Sequence, residues 1–220
     1  KLLYGDLFTK DPMKHVKAYL DSKNKVQGAH ILNGIFFDTF FSGFFKMYFP
    51  GTHTFKYWGE PDEWLEGTSY ANSAEYSTAV IMDESAVGIQ RLVGDRATVP
   101  QIAEYYQEIY GVKPQAKRLG SKADLFKKMT ALQRQYPDEP FKYMAMHYQH
   151  WTSNTQAYQW ADRHNAKYPH IQPTTWKQFM QTIPLESLAV CYLTPLQRAA
   201  NRKAPVRDCA TTSKSRPFCS

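Results

Sequence analysis

Apolar residues recur at helical spacing in several separate stretches of the chain, and most of these stretches open on a residue able to cap them. After Asp11-Pro12, the residues Met13, Val16 and Leu20 repeat at i, i+3 and i+7, which predicts a helix over 12–22 with Asp11 as N-cap and Pro12 in the first turn. Asn72 with Glu75, Thr98 with Gln101, and Ser121 with Asp124 each set an N-cap residue three positions before a polar acceptor. Ile102, Tyr105, Tyr106 and Ile109 form the stripe after Thr98 and stop at Gly111, a C′ glycine; Leu125, Met129 and Leu132 form the stripe after Ser121. A last helix is predicted from about Thr174, entered through Pro173 and carrying Trp176 and Phe179.

Between the helical stretches, residues 28–33 are short, apolar and Gly-bounded, which suits a buried strand, and 87–93 and 112–119 read as short strands. Helix alternating with strand predicts an α/β chain with a βαβ-type sheet. Phe36, Phe37, Phe40, Phe41, Phe44, Phe45 and Phe49 recur in pairs four apart, so that on a helix they would form one broad aromatic face. That face is core, the wall of an apolar ligand pocket, or both at once. It is too short for a membrane span, and Asp38 and Lys46 interrupt it.

Composition places the chain among globular proteins, with 43% hydrophobic and 15% aromatic residues in 220. The net charge of +7 suggests a nucleic-acid partner only until it is divided. Residues 191–220 carry six basic side chains against Asp208 alone, so most of the excess is a tail. That tail is Ser/Thr/Ala/Pro-rich without period and is expected to be disordered and solvated, a nucleic-acid or anionic-membrane role being its alternative. The expected organisation is therefore 1–190 as one α/β unit and 191–220 as a basic tail, with neither nucleic acid nor membrane as partner.

Cys191, Cys209 and Cys219 form neither a C-x-x-C nor an even set, which fits a reducing, cytoplasmic setting. His147 and His150 stand at i and i+3 on a predicted helix, where two imidazoles either face one metal or pack beside Tyr148 and Trp151. No further ligand has the spacing to complete a site, so no metal is expected. The 11 glycines nowhere form G-x-x-G-x-x-G or G-x-G-x-x-G, and the opening Lys-Leu-Leu-Tyr reads as a fragment edge. No carboxylate pair, Ser-His-Asp set or P-loop competes as chemistry.

The order of these pieces resembles the NmrA-like group of atypical short-chain dehydrogenases, neighbours of the isoflavone reductases. Lys14-His-Val-Lys-Ala-Tyr-Leu20 looks like the helix before the family's sixth strand, and His30 to Asp38 like the strand and loop after it. Phe55-Lys-Tyr-Trp-Gly59 with Thr68 to Val80, Val93 to Ala103, and Asn165 to Pro169 with Pro173 to Phe179 complete the resemblance. It implies a partial Rossmann-like fold, a doubly wound parallel sheet lacking its N-terminal βαβ units, with a mostly helical substrate-binding part.

The resemblance also implies a function: an NAD(P)-binding protein that reduces a small organic molecule, or, as the alternative, a dinucleotide-sensing regulator that binds a partner protein without turnover. NADP or NAD is expected for the whole fold and none for this chain alone, which lacks the Gly-rich turn; a protein partner or homodimer is the companion expectation. The family's catalytic Lys falls on Met13 here, leaving Lys14 as neighbouring candidate about 100 degrees round the helix, or as a solvated surface Lys. Asn33, Gly34 and Phe36 would approach the cofactor's nicotinamide end, or simply form a strand-to-helix turn. Phe37, Phe40, Phe41, Tyr57 and Trp58 are the implied substrate walls, with His53 adding a polar contact.

Overall fold

The computed structural model describes residues 3–192. The basic-tail expectation, with Cys209 and Cys219, lies outside the described residues.

Helix α1 spans Asp11–Asp21 and is followed by strand β1 at Ala29–Leu32. Asp11 is the first helical residue rather than its cap; its carboxylate accepts from the Gly5 N–H at 2.9 Å and pairs with Lys14 at 2.9 Å. Helix α3 (Tyr70–Met82) likewise starts earlier than Asn72: Ser69 is the cap, taking the Asn72 N–H at 3.1 Å. Asn72 is spent elsewhere, donating to Glu75 and to the Gln172 carbonyl and accepting from the Thr174 N–H. Helices α4 (Val99–Tyr110) and α5 (Lys122–Gln135) open on full capping boxes at Thr98/Gln101 and Ser121/Asp124. Gly111 closes α4 at φ 68°, in the left-handed region that glycine reaches without strain. Helix α6 covers Met144–Thr152, and α7 covers Trp176–Gln181 behind a Thr175/Gln178 box.

The Phe-rich run is not one helix. Ile35–Phe36 is strand β2, Phe37–Phe40 a single turn α2, and Tyr48–Phe49 strand β3. Lys46 sits at φ 55°, a left-handed break that no continuous helix accommodates. Thr54–Tyr57 forms β4, Trp64–Thr68 β5, Gly88–Arg91 β6, Asp95–Thr98 β7 and Gln115–Arg118 β8.

The class is α/β, with its strands divided among three small sheets ordered β1-β6, β2-β5-β7 and β3-β4-β8. β1 pairs with β6 in parallel, Ala29 opposite Gly88 through Leu32 opposite Arg91. β2 runs parallel to β5, and β4 to β8, while β5 and β7 are antiparallel. Parallel neighbours require crossovers, and α3 supplies that joining β5 to the β1–β6 level.

Two cores result. Phe37, Phe40, Phe41, Phe55, Ile102 and Tyr106 pack with Trp176, Phe179 and Met180 between the second and third sheets and α4 and α7. Phe37 and Trp176 have ring centroids 4.1 Å apart, and Phe41 stacks on Phe179 at 6.1 Å. Tyr76, Val80, Leu92, Tyr168 and Ile171 form the smaller core behind β6. Helix α1 buries none of its residues. Among the described residues no helix is long and apolar enough to cross a membrane.

Candidate functional site

The carboxyl ends of parallel strands are where open α/β folds place ligands, and here β1 ends in the loop Asn33–Gly34. Gly34 lies at φ 68°, and a Cβ built on it would stand 2.3 Å from the Glu66 carbonyl oxygen, so the loop passes against β5 with no room for a side chain. Thr68, wholly buried at the end of β5, ties the crossing point. Its Oγ1 lies 2.9 Å from the Asn33 carbonyl and 3.1 Å from that of Leu92, and accepts from the Gly94 N–H at 3.0 Å. Asn33 Nδ2 donates to Ser73 Oγ at 2.8 Å, which fixes the amide against the first turns of α3, while Asn33 Oδ1 is buried without a partner. Phe36 meets the edge of Tyr70, centroids 4.7 Å apart, and Tyr70 shares a 2.8 Å hydrogen bond with Thr39. Asn33, Gly34 and Phe36 are thus brought together, with Thr68, Tyr70 and Ser73 as companions that sequence reasoning missed. Only the earlier cap at Ser69 could have pointed to Ser73, by placing it on the opening turn of α3.

The fit to a dinucleotide is one-sided. The unpartnered Asn33 Oδ1 suits a carboxamide N–H, whereas the close approach at Gly34 is taken by the Glu66 backbone. The pyrophosphate has no such seat: Asp38 Oδ2 already accepts the Tyr70 N–H at 2.9 Å, so a carboxylate stands at the α3 N-terminus where phosphate would need positive potential.

The five substrate-wall residues separate. Phe37, Phe40 and Phe41 are 0% exposed inside the main core. Tyr57 and Trp58 instead line a hollow with Met47, Glu63, Leu65 and Gln149, of about 20 Å³, space for one water. Glu63 Oε1 pairs there with Lys122 at 2.9 Å, and its Oε2 is buried without a partner. His53 does not line the hollow; its Nδ1 lies 2.6 Å from the Tyr106 hydroxyl, which in turn lies 3.2 Å from that of Tyr48. Burial drives the Tyr48 hydroxyl far above its ordinary range, reinforced by Tyr106, and burial raises Tyr106 as well, so both hydroxyls keep their protons. A larger hollow of about 250 Å³, walled by Leu20, Val26, Gly28 and Val87, opens at the amino ends of β1 and β6, the end opposite Asn33.

Met13 is 60% exposed on α1. Lys14 is held on the same helix by Asp11 and by the Leu3 carbonyl, in a local clamp. His147 and His150 do share a face of α6, both buried; among the described residues no group of three or more His, Cys, Asp or Glu could hold a metal ion.

A second charged cluster sits under the irregular segment 153–172. Glu66, 5% exposed on β5, accepts from the Gln159 N–H at 2.6 Å and the Trp160 N–H at 3.2 Å. Burial lifts its carboxyl above the usual range, opposed by those N–H bonds and by Arg96 and Arg163. The Arg96 guanidinium lies between the rings of Trp64 and Trp160, 4.5 and 5.0 Å from their centroids. Asp95 next to it accepts from the Trp176 N–H at 2.9 Å and is likewise raised by burial. These groups clasp the segment and α7 to the sheet.

The parallel β1–β6 and β2–β5 pairs and the helices interleaved with the strands define a Rossmann-like α/β fold. No protein-family model matches the chain, and no curated protein matches it. Among solved structures the fold is similar to a nucleoside-diphosphate-sugar epimerase of Staphylococcus aureus, with a TM-score of 0.55 over 81% of this chain and 12% sequence identity. The match covers 61% of that protein, so this chain spans less than two thirds of its length.

Proposed function

We propose that this chain is the substrate-side part of an NAD(P)-dependent reductase of the NmrA-like type, acting on a small aromatic or unsaturated molecule in the cytoplasm. The observation that carries this reading is the Asn33–Gly34 loop: a glycine pressed on β5, beside an amide with one unpartnered buried oxygen, at the carboxyl end of a parallel strand. When bound, the cofactor supplies hydride chemistry. Asn33 would hold the carboxamide end and Phe36 wall the ring, while Gly34 keeps the loop seated on β5. The phosphate cradle comes from a unit other than the described residues.

One observation favours a second reading, a regulator that binds dinucleotide and a partner protein or a second copy without turnover. Met13 holds the family's Lys position and Lys14 is clamped to Asp11, so the Lys that the resemblance implies is not free on α1.

Amide shifts recorded during titration with NADPH and NADH test the common core of both. Weak binding is expected, with shifts confined to residues 33–36 and 69–73. No shift there at millimolar cofactor removes the nicotinamide-end assignment, and sub-micromolar binding would show a cradle within this chain. Oxidation of NADPH by aromatic or unsaturated acceptors, measured with the same preparation, separates reductase from regulator.

A further inference from the structure

Asn33-Gly34 is the one Asn-Gly pair in the sequence, and it falls on the loop that joins β1 to β2. A glycine after an asparagine has no side chain to shield its backbone nitrogen, so that nitrogen can close a succinimide ring on the Asn side-chain amide. The step balances with water as the only co-reactant. The Gly34 nitrogen forms a bond to Asn33 Cγ, the Cγ–Nδ2 bond breaks, and ammonia leaves with the proton lost by the Gly34 N–H. Water then opens the succinimide at either carbonyl, which yields aspartate or isoaspartate at position 33.

Both partners in this ring closure are restrained. Asn33 Nδ2, the leaving nitrogen, donates to Ser73 Oγ at 2.8 Å. The Asn33 carbonyl, which shares a peptide plane with the Gly34 nitrogen, accepts from Thr68 Oγ1 at 2.9 Å. Turning that plane to bring the nitrogen onto Cγ breaks the Thr68 bond, and Gly34, at φ 68°, lies against the Glu66 carbonyl with no room to shift on that side. The restraint is incomplete, because Asn33 Oδ1 has no partner and Gly34 is exposed to water. Asn72, followed by the small Ser73, is the contrasting case. Its Nδ2 donates to Glu75 and to the Gln172 carbonyl, its Oδ1 accepts from the Thr174 N–H, and the Ser73 N–H that would have to attack is spent on the Ser69 carbonyl at 2.9 Å.

We propose that Asn33-Gly34 is a site of spontaneous amide-to-acid conversion in this protein, and that Ser73 is the positioning residue that sets its rate in the folded chain. Intramolecular attack needs the reacting atoms in near-attack geometry, and the bonds to Ser73 and Thr68 hold them away from it. Conversion exchanges a neutral amide for a carboxylate on this loop. The isoaspartyl product also adds a methylene to the main chain, where Gly34 is already pressed on β5. The conversion requires no ligand, so it is independent of cofactor binding.

Peptide mass analysis of the full chain aged at mildly alkaline pH, with aspartyl and isoaspartyl products separated, tests this. In urea, Asn33 is expected to convert faster than any other asparagine of the chain. In the folded chain it is expected to convert at least about tenfold more slowly than in urea, yet ahead of Asn72. Ser73→Ala, which frees Nδ2, is expected to raise the folded rate about three- to tenfold and leave the urea rate unchanged, while Ser73→Thr, which keeps the hydroxyl, keeps the wild-type rate. Equal rates in the folded chain and in urea overturn the proposal, as does an unaltered folded rate in Ser73→Ala or the absence of conversion at Asn33 in the folded chain. The comparison of folded chain with urea needs no variant and decides alone should Ser73→Ala not fold.

Discussion

At the scale of single residues, the positions that matter most are those where no alternative side chain fits. Gly34→Ala forces a left-handed φ on a Cβ residue and drives that Cβ onto the Glu66 carbonyl, so we expect a loss of about 1–3 kcal/mol or a displaced loop, read from urea midpoints. Trp176 is fully buried against Phe37 and Phe40, and Trp176→Ala should cost about 3–5 kcal/mol by the same measurement. Glu66 behaves differently because its raised pKa makes ionisation a burden on the fold. Its unfavourable contribution is absent below the unfolded value of about 4.5 and grows as pH rises toward the folded one. The stability of Glu66→Gln relative to wild type should thus climb with pH above 4.5 and then level off; a flat difference across that window would mean that the carboxyl is not desolvated.

Among elements, what the sequence made legible was whatever is local. Thr98 and Ser121 were readable as caps because a capping box needs only a residue and its third neighbour, and Thr98→Ala should cost about 1 kcal/mol in thermal unfolding with α4 intact. Asn72 misled because Ser69, Asn72 and Glu75 all suit an N-terminus and only the long-range bonds to Gln172 and Thr174 decide which residue caps. The Phe run satisfies helical spacing but is broken by a left-handed Lys46, a constraint carried by the pairing of β3 with β4 rather than by apolar spacing. β5 and β7 escaped notice because Glu66, Asp95 and Arg96 make them look polar, and their burial depends on a segment about 90 residues downstream. Of the site, Asn33 and Gly34 could be found from a strand ending in a turn. Their partner Ser73, 40 residues on, could not, and the Phe residues given to a pocket wall went to the core because Trp176 and Phe179 fill the space in front of them.

For the molecule as a whole, the uneven quality of its two ends decides behaviour in solution. One side is closed by ring stacking and four strand pairings; the other presents α1 with Met13, Val16 and Tyr19 at 54–62% exposure, beside a β1 whose one strand partner among the described residues is β6. Parallel strands are ordinarily covered on both faces and at both edges, so an uncovered apolar ridge next to such an edge favours association. Sedimentation of the chain should show mass rising with concentration, and Val16→Lys with Tyr19→Lys should suppress that rise. Both positions are solvent-exposed on a helix without buried residues, so the substitutions should leave the unfolding midpoint within about 0.5 kcal/mol of wild type. A chain that stays monomeric at all concentrations would mean that the ridge is too small or too interrupted by Lys14 and Lys17 to hold a partner. A rise that survives both substitutions would move the contact to another exposed apolar position, with Ile81 and Met82 at the end of α3, 79% and 78% exposed, the next to replace.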